Sequence, residues 1–343
     1  MMRAGDRRGS GPLTGARTGG PRPGCWAAGA VLGYAADALL GDPVRGHPVA
    51  LFGRAATALE RRMWRDHRGV GALYTVLCAG GAVAVGGALD RGARALGRPP
   101  LPGIAVTAAA TWAVLGGTSL TREARAVGAL LEAGDLAAAR ERLPALCGRD
   151  PQHLDGQEIA RAVVESVAEN TSDAVVGALV WGALAGVPGL LGFRAVNTLD
   201  AMVGHRTPRH RRFGWASARL DDAAGRPGAR LTAALAAAAG PDPRGAVRAW
   251  RTDAHRHPSP NAGPVEAAFA GALGVRLGGT LSYGGRTEHR PVLNSAGRAV
   301  RSADIERAVR LSRRVGMLAL AAGCALGGAL RRARRVTDER GAR

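Results

Sequence analysis

Acidic side chains recur every four residues in the stretch VVESVAENTSDAVVGALVWGALAG, which covers residues 163–186. Residues four apart share one helix face, so Glu165, Glu169 and Asp173 would project together, with Arg161 one turn earlier. A solvated face braced by an Arg161–Glu165 pair is the plain interpretation. Like charges at this spacing disfavour a helix, however, and carboxylate oxygens are the ligands of hard cations such as Mg²⁺. The stretch therefore indicates either a solvated surface or a wall of a metal site.

Two further polar clusters follow in otherwise apolar sequence. NTLDAMVG contains Asn197 and Asp200, and an ionisable group there is costly unless it is paired or lines a cavity. A helix cap or a buried hydrogen bond would also explain it. SARLDDAAGRPGAR contains Arg219, Asp221 and Asp222, of which one carboxylate can bind metal while the other pairs with arginine. Adjacent acids before an Ala-rich helix are also an ordinary helix-start signal.

The last polar cluster begins with HPSPNAG, a loop fixed by prolines that contains His257, Ser259 and Asn261. The N-terminal N–H groups of the following helix are suited to bind an anion. Paired glycines then flank Tyr283, and Gly284 is one of them; glycine permits close approach of the backbone to a ligand. A connecting loop rich in proline and glycine is the plain alternative.

Composition excludes several classes of chemistry. The 343-residue chain has a net charge of +20, and its 47 basic residues are all arginine. Because lysine is absent, the chain has neither a Walker A P-loop nor a lysine Schiff base for PLP. Phosphate chemistry would have to use arginine, histidine, backbone amides or a metal. Nucleic-acid binding is not expected, because the arginines are scattered over every loop and aromatic residues make up only 4%.

Long uncharged segments indicate a membrane protein. Such runs are transmembrane candidates; they cover residues 69–89, 101–118, 174–193 and 315–330, and a further apolar run at 24–40 has Asp37 as its only charged residue. We predict an all-α, polytopic membrane protein with about four to five transmembrane helices; a soluble Ala-rich helical protein is the alternative. The predicted organisation is a disordered extension (1–23), a single helical membrane domain (24–330) and an Arg-rich tail (331–343).

The polar segments between these runs are expected to be organised differently from one another. Residues 119–150 have helical periodicity with a Gly-Asp break at 134–135, which predicts a helix pair. Residues 194–228 and 241–300 hold most of the proline, histidine and aspartate, and we expect them to be rich in loops.

The same clusters, read together, resemble the CobD/CbiB family of cobalamin-biosynthesis membrane proteins. The matching text is GDPVRGHPV, GRD, RAVVESVAENTSD, AVNTLDAMVG, FGWASARLDD, HPSPNAG and GALGVRLGG…YGG, in the family's order over about residues 26–330. The chain departs from the family pattern at Ala174, Gly177–Ala178, Gly225 and Pro258. These departures spare the charged residues.

The resemblance implies a multi-pass inner-membrane enzyme. It would use ATP to join (R)-1-amino-2-propanol, or its O-phosphate, to the f-propionate of adenosylcobyric acid, giving adenosylcobinamide or its phosphate. Its partners would be these substrates, the lipid bilayer and other corrin-pathway enzymes, with no nucleic acid. A membrane carrier or binding protein for corrinoids, and a non-catalytic membrane sensor, are the alternatives.

Amide formation from a carboxylate needs activation, and an acyl phosphate formed with ATP would supply a leaving group while Mg²⁺ and arginine neutralise charge. On this basis we assign catalytic roles to Glu165, Glu169, Asn170, Asp200, His257 and Asn261. We assign substrate or phosphate binding to Arg161, Asn197, Arg219, Ser259, Tyr283 and Gly284. We assign Mg²⁺ binding to Asp173, Asp221 and Asp222. His257 would deprotonate the attacking amine.

ATP is cytoplasmic, so this assignment requires all the clusters to lie on one side of the membrane. If residues 174–193 crossed once, VAENTSD and NTLD would lie on opposite sides. Pro188 and several glycines interrupt that segment, and irregular backbone at membrane depth must be buried in protein or line a cavity. We therefore expect a protein-buried helix that does not span the bilayer.

Overall fold

The computed structural model describes residues 23–43, 46–96, 100–205, 207–283 and 286–341. The helices are α1 (Pro23–Leu40), α2 (Pro48–Met63), α3 (Arg68–Ala95), α4 (Leu101–Val114), α5 (Gly117–Glu132), α6 (Leu136–Arg142), α7 (Gly156–Thr171), α8 (Gly177–Leu199), α9 (Trp215–Ala239), α10 (Pro243–Asp253), α11 (Ala262–Leu273) and α12 (Ala303–Gly341). One antiparallel pair, β1 (Leu277–Tyr283) and β2 (Arg286–Leu293), interrupts them.

The predicted helical membrane fold is confirmed. Four helical segments of the described residues are long and apolar enough to cross a bilayer: Arg68–Ala95, Leu101–Glu132, Gly156–Gly204 and Ala303–Leu330. The apolar part of α1, Cys25–Leu40, is shorter.

The third of these segments reverses direction at Gly186, inside α8. This glycine has φ 68° and ψ −148°, a conformation that essentially only glycine adopts. The two arms, residues 177–185 and 187–199, lie side by side, because a Cβ on Gly189 would come within 2.1 Å of the Trp181 carbonyl oxygen. The long segment is therefore a helical hairpin.

Further contacts between the two arms continue toward the open end of the hairpin. A Cβ on Gly182 would meet Leu190 at 2.9 Å, and one on Gly177 would meet the ring of Phe193 at 2.2 Å. Beyond them Asn197 Nδ2 donates a hydrogen bond to Asp173 Oδ2 at 3.4 Å. The glycines let the two backbones approach closely, as small residues do between membrane helices.

Each arm of the hairpin is shorter than a membrane span, although the whole segment is long enough for one. At 1.5 Å per residue, the 13 residue steps from Asp173 to Gly186 reach about 20 Å, against a hydrocarbon core of about 30 Å. Its apolar window is 61% buried by the rest of the protein, whereas that of α3 is 28% buried. The segment is therefore largely buried in protein, as expected, and the reversal returns both polar ends to one end of the bundle. That the segment does not span the bilayer stays a prediction.

Helices α1, α3, α4 and α12 pass alongside the hairpin. Gly29 and Gly33 on α1 form a GxxxG pair, and a Cβ on either would lie within 3 Å of Thr107 or the Ala108 carbonyl of α4. Helix α3 packs against the returning arm, where a Cβ on Gly86 would meet Pro188 Cα at 2.7 Å. Large apolar side chains exposed on the outer faces form a lipid-facing belt; they include Val31, Leu32, Val76, Leu77, Val83, Val85, Met317 and Leu318.

The long polar segments collect at one end of this bundle, which we call the site end. Asp37, near the end of α1, accepts hydrogen bonds at 3.2 Å from the backbone and hydroxyl of Thr118 at the start of α5. At the start of α3, a Cβ on Gly71 would collide with the Phe213 carbonyl. The opposite end contains the hairpin turn at Gly186 and the connection between α3 and α4.

Some expectations for the polar segments are corrected. Residues 194–228 are largely helical rather than loop, and residues 241–300 contain α10, α11 and the β-hairpin between shorter loops. Asp221 and Asp222 lie in the second turn of α9, so they are not a helix-start signal. The helix pair expected over 119–150 is confirmed as α5 and α6, with Asp135 as N-cap.

The two ends of the chain are described in part. Helix α1 begins at Pro23, and α12 continues through Gly341, so residues 331–341 extend a helix. The predicted extension at residues 1–22 lies outside the described residues.

The hairpin predicts the membrane topology of its flanking segments. Ala133 and Thr207 are exposed on either side of it in sequence. Cysteines introduced singly at these positions, in a background without native cysteines, should react with an impermeant maleimide from the same side of the membrane. Leu96→Cys, in the connection between α3 and α4, is the control and should react from the other side. Labelling of positions 133 and 207 from opposite sides would contradict the hairpin.

Candidate functional site

The polar clusters recognised in the sequence converge at the site end. Asn197 donates to Asp173 at 3.4 Å, which joins the two hairpin arms. Helix α9 brings its acids to the same place, because Asp221 interacts electrostatically with Asp173, and Asp222 with Asp200. Four segments, including α11, therefore supply carboxylates to one recess. We call it the acid recess; it is formed by Glu165, Glu169, Asp173, Asn197, Asp200, Asp221, Asp222 and Glu266.

Two π-helical turns aim side chains into the acid recess. One covers Ser172–Val176 at the end of the first arm, and the other covers Asp200–Gly204 after the second. Such turns insert an extra residue into the helix and are frequent at functional sites. Gly204 is required by the second turn, because a Cβ there would lie 1.8 Å from Asp200 Oδ1.

Glu165 is part of a buried structural network. Its Oε2 accepts a hydrogen bond from Arg149 Nη2, and its Oε1 accepts one at 2.6 Å from the N–H of Gly278 on β1. Glu165 and Arg149 are both buried. The ion pair thus fixes the β-hairpin against α7. The Arg161–Glu165 brace considered from the sequence is wrong, since Arg161 Nη2 instead donates to the Thr280 carbonyl at 2.9 Å.

Glu169 projects from α7 into open space within the protein. Its side chain is solvent-accessible although protein surrounds it densely, which is the geometry of a residue lining a recess. It interacts with the carboxylates of Glu165 and Asp200 and with the guanidinium groups of Arg290 and Arg149. Glu169 is therefore the acid best placed to meet a substrate.

Sequence reasoning left three site residues without roles. Arg149, in the GRD motif, and Arg290, on β2, supply positive charge beside Glu169. Glu266, on α11, is buried next to Glu165 and Glu169. Burial, followed by these neighbouring carboxylates, raises the pKa of Glu266 well above its usual range. The GRD motif could have indicated Arg149, whereas nothing in the sequence around Arg290 distinguished that residue.

His257 has a geometry that differs from that of a ready general base. Its Nδ1 accepts a hydrogen bond at 3.0 Å from the Ser259 N–H, so the proton of the neutral ring belongs on Nε2. Nε2 lies 3.6 Å from Glu266 Oε1, and burial lowers the pKa of His257. In this arrangement the unprotonated ring nitrogen, Nδ1, already accepts the hydrogen bond from Ser259 and is not free to take a proton from a substrate. The ring links the HPSPNAG loop to α11.

Ser259 and Asn261 hold the loop in place. Ser259 Oγ accepts from the N–H groups of Asn261 and Ala262 at 3.3 and 3.1 Å, so it occupies donors that were considered for an anion. Asn261 Nδ2 donates to the Asp222 carbonyl at 3.0 Å, and its Oδ1 accepts from Arg230 at 3.1 Å. Gly225 accommodates this amide, because a Cβ there would lie 2.4 Å from Asn261 Nδ2.

The remaining predicted residues lie around the acid recess rather than in it. Asn170 Nδ2 donates to the Ser166 carbonyl at 3.0 Å within its own helix. Arg219 is 65% exposed and lies 3.6 Å from Asp222. Arg161 borders a small cavity of about 100 Å³ beside Gly278 and Gly279. The Tyr283 side chain and Gly284 lie outside what the structure describes.

The acids do not form a preassembled metal cage. In the described part of the chain, no group of three or more His, Cys, Asp or Glu side chains is arranged to hold a metal ion. Asp221 nevertheless has an Oδ1 that is buried without a hydrogen-bond partner. Burial, followed by the charge of Asp200, raises the pKa of Asp221 to about 7, although a hydrogen bond from Asn197 opposes the shift. A bound cation would satisfy this oxygen and stabilise its charged form.

Comparisons with known proteins match most of the chain. The sequence profile of the family described as CobD/Cbib protein matches residues 30–312. The chain is 56% identical over 295 residues to "Cobalamin biosynthesis protein CobD" of Mycobacterium tuberculosis (strain H37Rv), covering 84% of this chain and 91% of that protein. Proteins of the same name from Chromobacterium violaceum and Rhodobacter capsulatus are 44% and 42% identical, over 81% and 78% of this chain and 89% and 85% of theirs. No solved structure matches.

The Arg149–Glu165 pair predicts a coupled stability effect. Removing one partner leaves the other charge buried, so Arg149→Met and Glu165→Gln should each lower the free energy of unfolding by about 3 kcal/mol. The double variant should lose less than the sum, which denaturant titration in micelles measures. The exposed pair Arg142–Glu123, 2.9 Å apart, is the matched control and should change stability by less than about 1 kcal/mol. Additive losses at Arg149 and Glu165 would contradict the coupling.

Proposed function

The chain belongs to the CobD/CbiB family of cobalamin-biosynthesis proteins, and from that premise we propose that it is an ATP-dependent amide ligase. The proposed reaction joins (R)-1-amino-2-propanol, or its O-phosphate, to the f-propionate of adenosylcobyric acid. The observation that supports it best is the acid recess, where the hairpin and α9 bring carboxylates beside buried arginines.

The proposed reaction has two chemical steps. In the first, a propionate oxygen attacks the γ-phosphorus of ATP, which forms an acyl phosphate and releases ADP. In the second, the amine attacks the acyl carbon, phosphate leaves, and the amine loses a proton. The developing negative charge in the first step needs cations nearby, and Arg290 and Arg149 supply them beside Glu169.

We assign Asp173 and Asp221, with Asp200 and Asp222 nearby, to holding Mg²⁺. The donor set fits, because the ion prefers carboxylate oxygens and Asp221 Oδ1 lacks a partner. Mg²⁺ also usually keeps waters and takes one or two protein carboxylates together with substrate phosphates, so a preassembled cage is not required. The metal would neutralise phosphate charge as it transfers.

Glu169 is our candidate for the base that receives the amine proton. It is accessible in the recess, whereas Nδ1 of His257 is already engaged. His257, Ser259 and Asn261 would position the loop between α9 and α11. Arg161, Asn170, Arg219, Tyr283 and Gly284 remain candidates for contacts with the larger substrate.

We further propose that the protein lies in the cell inner membrane with its site end toward the cytoplasm. ATP is available on that side only. The hairpin supports this placement, because it returns Asn197 to the same end of the bundle as Asp173. The corrinoid substrate would then reach the acid recess without crossing the bilayer.

The role of Glu169 predicts a selective loss of activity. Glu169→Gln should lower turnover at least about 100-fold, because a general base is removed, without changing membrane insertion. The assay supplies adenosylcobyric acid, aminopropanol phosphate, ATP and Mg²⁺ to purified protein and follows the amidated corrinoid. Glu132→Gln, an exposed glutamate at the end of α5, is the control and should retain activity.

Two outcomes of this assay would overturn parts of the proposal. Wild-type turnover by Glu169→Gln would remove Glu169 from the reaction. Absence of product from the wild type under every nucleotide and metal condition, together with corrinoid transport in vesicles, would favour the carrier instead.

The raised pKa of Asp221 predicts how Mg²⁺ binding depends on pH. Below about pH 7 this carboxyl is protonated and cannot bind the ion; above it the carboxylate is available. Affinity for Mg²⁺ should therefore rise as pH increases from about 6 to about 8, with proton release near pH 7. Calorimetry in buffers of different ionisation enthalpy, with a non-hydrolysable ATP analogue present, measures both. Asp221→Asn should bind more weakly and release no such proton, and an unchanged pH profile in this variant would contradict the assignment.

A further inference from the structure

A second cavity lies apart from the acid recess, among the membrane-level helices. It has a volume of about 420 Å³ and is bordered by α2, α3, α4 and the returning arm of the hairpin. Its lining is almost entirely apolar and includes Phe52, Val85, Val114 and Leu191. Among the described residues that line it, Arg194 is the only charged one. We call it the lateral groove.

The lateral groove is continuous with the surface that faces lipid. Val85 lines the groove and is also 55% exposed, and Val76, Leu77 and Val83 on the same helix are exposed as well. Seven residues separate Thr198, near the site end, from Leu191 along the arm, so the groove follows the helix for about 10 Å. Its shape and direction are those of a slot for an extended acyl chain.

Arg194 gives the groove a polar end. Its Nε is buried and has no hydrogen-bond partner. Its Nη1 reaches Asn197 Oδ1 only at 3.5 Å, and its charge interacts with Asp42 and Asp173. Arg194 thus lines the groove while its charge interacts with acids of the recess. Its guanidinium is only partly paired, and an anionic group at this end of the groove would complement its charge.

Helix α2 indicates where the polar end of the groove lies relative to the membrane surface. Its groove-lining residues, Pro48, Val49 and Phe52, lie on one side, whereas Arg54, Arg61 and Arg62 are exposed or only partly covered. An amphipathic helix of this kind lies in the plane of the membrane interface. Arginines at that depth attract anionic lipid headgroups.

We propose that the lateral groove binds one anionic phospholipid from the leaflet at the site end. One acyl chain occupies the slot between α3, α4 and the returning arm. The phosphate pairs with the guanidinium of Arg194, while the arginines of α2 add electrostatic attraction. This lipid site is separate from the proposed ligase reaction and does not depend on it.

Two adjacent glycines provide a matched test. Gly80 and Gly81 on α3 are both exposed, and a Cβ on either would meet nothing within 4 Å, but only Gly81 lines the groove. Gly81→Leu should fill the slot, and Gly80→Leu should not. Ala113→Leu fills the slot from α4 and serves as a second variant if Gly81→Leu fails to fold.

Native mass spectrometry of the purified full chain measures the binding. The protein is titrated in detergent with phosphatidylglycerol and, separately, with phosphatidylcholine of the same acyl composition. Wild type and Gly80→Leu should bind one phosphatidylglycerol, and Gly81→Leu should bind it at least about tenfold more weakly. Arg194→Gln should lose the preference for phosphatidylglycerol over phosphatidylcholine while retaining a bound lipid.

Several results would overturn the lipid site. Equal binding by folded Gly81→Leu and Ala113→Leu would show that the lipid lies elsewhere. Equal affinity of the wild type for the two lipids would remove the role of Arg194. Absence of bound lipid, or a wild-type dimer that Gly81→Leu abolishes, would show that the groove is empty or holds a second copy of the chain.

Discussion

The reversal of the chain at Gly186 is the constraint on which the rest of the molecule depends. Backbone at membrane depth must satisfy its own polar groups, so a chain that enters and returns needs two helices and a very short turn. Gly186 supplies the turn through a conformation closed to other residues, and Gly182 and Gly189 let the arms touch. Helices α3, α4, α9 and α12 then cover the hairpin. The open end of the hairpin is thereby held in place, and its position determines where the acids at that end lie.

The acid recess concentrates charge that the fold compensates only in part. Arg149 is committed to Glu165, and Arg290 faces Glu169 and Glu266, yet the carboxylates of the hairpin and α9 have fewer cations beside them. Such repulsion reduces stability, and proteins retain it mainly where function requires it. Protonation relieves some of it, as the raised pKa of Asp221 indicates. A bound cation would relieve more of it.

The sequence was a good guide to which residues meet, and a weaker guide to what each does. Four-residue spacing placed Glu165, Glu169 and Asp173 on one face, and their mutual electrostatic contacts confirm it. Periodicity could not reveal the reversal, since both arms are apolar all round; only the Gly-Val-Pro text at 186–188 indicated a break. The sequence could not show contacts that depend on distant partners. Ser259 caps a helix, Asn261 joins α9 to the loop, and Arg290 arrives on a β-hairpin whose strand signal was weak.

The position of the acid recess on top of an apolar hairpin has a consequence for its chemistry. Charges above a low-dielectric floor interact more strongly than the same charges in water, so each carboxylate and guanidinium there has a larger effect on a phosphate than it would on an exposed loop. The hairpin core, with Val176, Leu179 and Leu190 fully buried, excludes water from below. The recess is accessible at the site end, where Glu169 is exposed. A helix that crossed the membrane would place its polar ends on opposite surfaces, and a chain of this length would then have to build the site from fewer segments. The hairpin avoids this loss of segments, because both of its ends contribute to the same acid recess.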